Sequence, residues 1–189
     1  YVPKEKILKA VVNENNLYLA IEGEPGITVI DSNGKEKTII FDLASRIETF
    51  FVKDNNKMVA VMKDKNRQDW ASVYCNYKKF KTIPLEQTED LRFNVLYDEM
   101  KNMWCVISSD GFGLAFDTHH TEKTFLTRHG IDVERVKMVS GKLYIPEDEF
   151  LFSLDIFDAE KDKKLKWNII RQTSKLCDIT VHGFSIIIG

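Results

Sequence analysis

Four short apolar segments recur along this chain at an interval of 40 to 45 residues, and that interval limits the fold more than any other feature. "NLYLAIEG" begins at Asn16, "KMVAVMKD" at Lys57, "NMWCVISSDG" at Asn102 and "KLYIPEDE" at Lys142, so successive starts lie 41, 45 and 40 residues apart. Each is apolar-rich and partly alternating, the pattern of a strand covered on both faces. The segments ahead of them repeat as well. Residues 7–14, 47–54, 93–100 and 133–140 read as strands that run into Asn15-Asn16, Asn55-Asn56, Lys101-Asn102 and Ser140-Gly141. Asn and Gly accept the positive φ of tight hairpin turns, so a two-residue connection is expected at all four.

A third series follows: "GITVID", "ASVYCN", "GLAFD" and "SLDIFD". Its ends, Ile30-Asp31, Cys75-Asn76, Phe116-Asp117 and Phe157-Asp158, are spaced 45, 41 and 41 residues apart. Ile30, Cys75, Phe116 and Phe157 are therefore expected to be equivalent and buried. A more polar fourth series, at 37–41, 79–85, 123–128 and 164–170, closes each unit. Residues 88–100 alternate at Leu91, Phe93, Val95 and Tyr97, which favours a strand over a helix there.

Four strands per unit at this period describe consecutive antiparallel sheets of the β-propeller kind, an all-β fold. Residues 1–189 then form one domain of about four and a half four-stranded units. The blades are expected at roughly 7–42, 46–86, 92–128 and 133–170, with a half-blade at 178–189. A half-blade leaves an open edge, so further blades must close the ring. They are expected from a longer propeller of the same chain in preference to another chain. Four-fold register argues against the other many-stranded candidate, a β-sandwich.

The pattern resembles a degenerate WD-repeat-like β-propeller over residues 5 to 189. Ile30-Asp31, Phe116-Asp117 and Phe157-Asp158 stand where that family places Trp-Asp. No unit opens with Gly-His and no third strand ends in Trp-Asp, so the family's Asp–His–Ser–Trp network does not carry over. What the resemblance implies is a propeller scaffold with wide loop faces.

"SSDGFGLAFD" (108–117) looks at first like a phosphate cradle. A phosphate loop needs a helix N-terminus directly behind its glycines, and behind Gly113 comes the strand-like Leu-Ala-Phe-Asp. An Asp-box would need glycine where Phe112 stands. The stretch reads as a hairpin. "FDTHHTEKTFLTRHG" gathers Asp117, His119, His120, Glu122 and His129, but adjacent histidines on an extended chain point to opposite sides, so no metal site is expected. Ser108, His129 and Asp117 form no nucleophile elbow. Glu147, Asp148 and Glu149 beside Pro146 read as a solvated loop, not the flanking pair of a glycosidase. Trp70, Trp104 and Trp167 are expected to pack in or between sheets. No catalytic residue, cofactor or metal is expected.

Lys plus Arg number 27 against 29 Asp plus Glu, a net charge of −2, so no basic field attracts nucleic acid. Basic runs at Lys78, Lys79 and Lys81 and at Lys161–Lys166 read as solvated strand faces. Cys75, Cys105 and Cys177 are odd in number and scattered, the pattern of free thiols in a reducing compartment. No apolar run reaches spanning length, and "YVPKEK" has no signal-peptide core. An intracellular protein, in cytoplasm or nucleus and without a membrane partner, is expected.

From architecture and the lack of catalytic motifs, the sequence points to a non-catalytic scaffold that binds other proteins as part of a larger assembly. Loops joining second to third strands share one face with those joining blades. Phe112, Arg67, Glu24 and His129 are expected there as protein-binding residues, with Phe112 as an exposed aromatic. The alternative is a propeller enzyme or small-ligand binder with its site at the central channel, beside Lys9, Glu48, Arg92 and Arg135 on the first strands.

Overall fold

The computed structural model describes residues 5–41, 44–54, 57–75, 78–85, 91–117, 122–127, 130–157, 168–172, 179–182 and 185–188. The chain divides into two compact units, Tyr1–Glu89 and Asp90–Gly189. In the first unit, β1 (Ile7–Asn13), β2 (Asn16–Ile21), β3 (Gly26–Ile30) and β4 (Glu36–Ile40) form an antiparallel sheet in chain order. A second sheet follows from β5 (Ala44–Asp54), β6 (Lys57–Asp64), β7 (Asp69–Cys75) and β8 (Lys78–Pro84). Within this unit β1 lies beside β5, as the inner strands of neighbouring blades do.

The second unit repeats the scheme. Its first sheet is β9 (Phe93–Asp98), β10 (Met103–Ser108), β11 (Phe112–Asp117) and β12 (Glu122–Leu126). Its second is β13 (Lys137–Val139), β14 (Lys142–Glu147), β15 (Phe150–Asp155) and β16 (Asn168–Gln172). A two-stranded sheet ends it, β17 (Ile179–His182) with β18 (Ser185–Ile188). First strands again neighbour one another, β9 with β13 and β13 with β17. These are β-propeller blades, four complete and one half.

Strand alternation places the core between sheets. In the first unit Tyr18, Ala20, Ile27 and Val29 of one sheet meet Phe50, Met58, Ala60 and Met62 of the next, all buried. Phe41 and Tyr74 close the contact edge to face, with ring centroids 4.5 Å apart. In the second unit Met103, Cys105, Ile107 and Ala115 pack on Met138, Leu143, Ile145 and Leu154. Fully burying side chains of this size contributes about 1.5–3 kcal/mol each, so each sheet is held chiefly by its neighbour.

Polar side chains join successive first hairpins. Asp98 is 2% exposed; its Oδ1 accepts from the N–H groups of Met100 (2.9 Å) and Lys101 (3.2 Å). Its Oδ2 accepts from the N–H of Gly141, in the hairpin of the next sheet. In the first unit Asn13 does similar work, its Nδ2 donating to the Lys53 carbonyl at 3.2 Å.

The structure moves several boundaries. Ser140-Gly141 is the expected two-residue turn, with φ of 53° and 78°. The first turn is Glu14-Asn15, because Asn13 pairs with Asn16, and the β9–β10 loop is longer, because Asp98 pairs with Met103. Asn55-Asn56 lies outside the described residues. The segment 133–140 is not one strand. It opens as a 3-10 turn, Val133–Arg135, which buries Val133 and offers its carbonyl to Asn94 Nδ2 at 2.9 Å. A polar side chain from the adjacent sheet thus takes an acceptor that a ladder would otherwise use.

Third-strand equivalence fails by register. Leu17 pairs with Ile30, Met58 with Tyr74, Met103 with Asp117 and Leu143 with Leu154. Ile30, Tyr74, Asp117 and Leu154 are therefore the matching positions. Phe157 lies beyond the end of β15 and is 54% exposed. Period-2 alternation makes such a slip easy, since a displaced apolar residue still looks like a strand residue.

Candidate functional site

A row of charged side chains crosses the loop end of the second sheet. In the ladder, Arg46 of β5 stands opposite Lys63 of β6, and Lys63 opposite Asp69 of β7. Met58, Ala60 and Met62 of β6 enter the core shared with the first sheet. Lys63 therefore projects from the opposite face, with Val59 and Val61. A bulge between Ile47 and Thr49 leaves Glu48 out of the β5–β6 register, and the Arg46 Nε lies 2.5 Å from its Oε1. Bulges re-aim side chains in this way.

Exposure falls steeply along the row. The Arg46 side chain is 52% exposed and Glu48 18%, while Lys63 is 13% and Asp69 1%. Lys63 Nζ lies 3.6 Å from Asp69 Oδ1, too long for a hydrogen bond. Neither Asp69 oxygen accepts a hydrogen bond. Burial pushes the Asp69 carboxyl above the ordinary aspartate value; Lys63 opposes that rise, Glu48 adds to it, and Arg46 opposes it weakly.

Asp64, five residues earlier, supplies the contrast. Its Oδ1 accepts from Asn66 N–H (2.7 Å) and Gln68 N–H (3.0 Å), and its Oδ2 from Trp70 Nε1 (3.2 Å). Desolvation acts to raise its pKa, but the Gln68, Trp70 and Asn66 donors outweigh that and hold it below the ordinary value. Asp64 shapes the β6–β7 turn. Asp69 has no such local task, and a buried polar group without a partner calls for an explanation.

The sequence-derived residues do not converge. Phe112 is 6% exposed at the start of β11, so it is no exposed loop-tip aromatic. Its N–H donates to Asp110 Oδ1 at 3.1 Å, and Ser108 Oγ lies 3.1 Å from its carbonyl. Arg67 is exposed in the β6–β7 turn with φ of 64°, and Glu24 is half-buried in the β2–β3 turn. His129 lies outside the described residues, as do His119, His120 and Trp167. Of the channel candidates, Lys9 Nζ donates to Thr49 Oγ1 at 2.8 Å, tying β1 to β5. Glu48 belongs to the charged row. Arg92 is exposed ahead of β9, and Arg135 sits half-buried in the 3-10 turn.

Sequence reasoning missed Lys63 and Asp69. It took residues 63–69 as one polar connection, whereas both lie inside the ladder. The available signal was the alternation of Trp70, Ser72 and Tyr74, which extends the strand back to Asp69 on the face of Ala71 and Val73.

No family model matches the chain, and no curated protein does either. Solved structures match across nearly all of it. A structure described as streptogramin B lyase shares 10% identity at a TM-score of 0.67, covering 99% of this chain and 63% of its own. An uncharacterised protein from Listeria monocytogenes shares 13% identity at a TM-score of 0.64, covering 99% of this chain and 60% of its own. At this identity the likeness concerns fold, and the chain spans about three fifths of the length of these structures. The expectation of a non-catalytic protein-binding scaffold is corrected: a protein sharing this fold is a lyase, so the architecture gives no ground for a scaffold. Its chosen anchor, Phe112, is also buried.

Proposed function

We propose that this chain supplies blades to a propeller that binds a small polar ligand, with Arg46, Glu48, Lys63 and Asp69 as the polar wall of the site. One observation carries the reading: the Asp69 carboxylate is 1% exposed, yet both its oxygens lack a hydrogen-bond donor. Burying such a group without a partner costs on the order of 1–3 kcal/mol or more. A fold retains that cost where the group serves binding or chemistry. The lyase among the structural matches supports the reading, because in that protein the same fold is described by a reaction on a small molecule.

Three subsidiary proposals accompany it. Further blades close the ring, supported by the greater length of the matching propellers. A WD-like lineage is supported by third-strand aspartates that cap the following turn. Asp31 Oδ1 accepts from Asn33 and Lys35, both at 2.9 Å, and Asp155 Oδ1 from Phe157 at 3.0 Å. An intracellular setting is supported by the free, fully buried Cys105 thiol, whose pKa burial pushes up. No helix among the described residues is long and apolar enough to cross a membrane.

The ligand-binding reading is tested by thermal-shift screening of a broad library of small polar metabolites against wild type and Lys63→Met. At least one compound should raise the wild-type melting midpoint and leave that of Lys63→Met unmoved. A library without hits, or hits equally effective on the variant, would remove the site.

A further inference from the structure

We propose that the ligand of the Arg46–Asp69 row is a short zwitterion, an amino acid whose ammonium group meets Asp69 and whose carboxylate meets Arg46; this rests on the ligand-site reading above. The row carries two cations, Arg46 and Lys63, and two carboxylates, Glu48 and Asp69. Its formal charge is zero while its two ends differ in sign. A singly charged ligand would meet a like charge within the same row, which is destabilising. A zwitterion laid along it meets opposite charges at both ends.

The exposure gradient sets the orientation. Asp69 lies at the buried end, 1% exposed, and its oxygens call for N–H donors. An ammonium group carries three such donors and no acceptor. Arg46 lies at the open end, 52% exposed, and only its Nε is engaged, by Glu48. A guanidinium fork with free terminal nitrogens matches a carboxylate bidentately. Strands β5 and β7 are separated by β6, so their backbones lie roughly 10 Å apart. The long Arg46 side chain can fold inward over that gap, so a ligand of a few heavy atoms suffices. Lys63, opposite Asp69 in the ladder, must yield as the ammonium enters, and its flexible stem allows this.

The test uses amide chemical-shift mapping on the full chain with named probes. Glycine, L-alanine and 4-aminobutanoate represent the zwitterions. Methylammonium, acetate, glucose and glycine betaine represent a lone cation, a lone anion, a neutral polyol and a zwitterion without N–H donors. The proposal expects at least one of the first three to shift the amides of Arg46–Glu48 and Lys63–Asp69, with the four controls silent there. Affinity should fall by about tenfold or more in Asp69→Asn and in Arg46→Gln. Glu24→Gln, in another hairpin, should bind as wild type does. Shifts in the same amides from glucose, acetate or methylammonium alone would overturn the zwitterion while keeping the site. Glycine betaine binding as well as glycine would overturn the ammonium–Asp69 contact. Silence from all seven probes, together with an empty library screen, would leave solvent as the partner of Asp69 and overturn both readings.

Discussion

Replacing Asp69 by Asn should make the ligand-free protein more stable at neutral pH, an unusual direction for a change at a fully buried site. The substitution is isosteric, so it opens no cavity. It removes a charge whose oxygens accept no hydrogen bond and whose nearest cation stands 3.6 Å away. The pKa of Asp69 is raised by burial. Below the ordinary aspartate value the group is neutral in folded and unfolded chains alike, and it costs nothing. As pH rises through the ordinary value toward the raised folded value, the unfolded chain ionises first, and native stability falls. Above the folded value the loss is complete. The gain from Asp69→Asn should therefore be near zero at pH 3 and reach about 1–3 kcal/mol at pH 7, the scale of an unpaired buried polar group. For a chain of this size that raises the melting midpoint by roughly 2–10 °C. Calorimetric melts of both proteins at pH 3, 5 and 7 measure it. If Lys63 already compensates the charge in full, Asp69→Asn would break a buried pair and destabilise the fold by an amount on the order of 3–5 kcal/mol. A lower midpoint at pH 7, or a difference independent of pH, refutes the reasoning.

Other perturbations test the packing. Asp98→Ala strips the acceptor from three backbone donors, one of them in the next sheet, and should cost about 2–4 kcal/mol in denaturant titration. Gly113→Ala drives a Cβ into the Phe125 ring, which is 4% exposed. It should cost about 1–3 kcal/mol, and a second change, Phe125→Leu, should recover part of that loss. Phe116→Ala at a 3% exposed site should cost about 3–5 kcal/mol, while Phe157→Ala at a 54% exposed site should cost under about 1 kcal/mol. Equal losses from these two would restore the register that the ladder rejects.

The architecture was legible because it repeats. A hairpin turn such as Ser140-Gly141 needs two positive φ angles, and the sequence announces them with residues that tolerate αL. Strand ends were less legible, since alternation at Leu154, Ile156 and Phe157 does not say where pairing stops. Asp155 ends the strand by accepting the Phe157 N–H, which no apolar pattern reveals. The 3-10 turn at Val133 depends on Asn94, 39 residues away, so local propensity held no trace of it. Phe112 looked exposed because Gly111 and Gly113 flank it. Gly113 in fact lets the Phe125 ring approach the β11 backbone, and Phe112 is an ordinary buried strand residue. Burial is a tertiary property, and glycine neighbours do not report it.

The repeat also provides internal controls for the candidate site. Glu22, Ser108 and Asp148 occupy the place of Lys63, each the sixth residue after the start of its segment. Glu22 and Asp148 are exposed, and Ser108, though buried, has its hydroxyl within bonding reach of the Phe112 carbonyl. Counting back along the third strands, Asp69 is matched by Pro25, Phe112 and Glu149: an exposed imino acid, a buried apolar ring and an exposed carboxylate. Three sister hairpins therefore close without a buried charge at either place. The fold does not need Asp69, and its presence lowers stability at neutral pH by the argument above. Where a repeated architecture tolerates a cost in one copy that the others avoid, strain of this kind marks function more often than it marks scaffold. That asymmetry, more than the presence of charge, is why the site is placed on the second sheet.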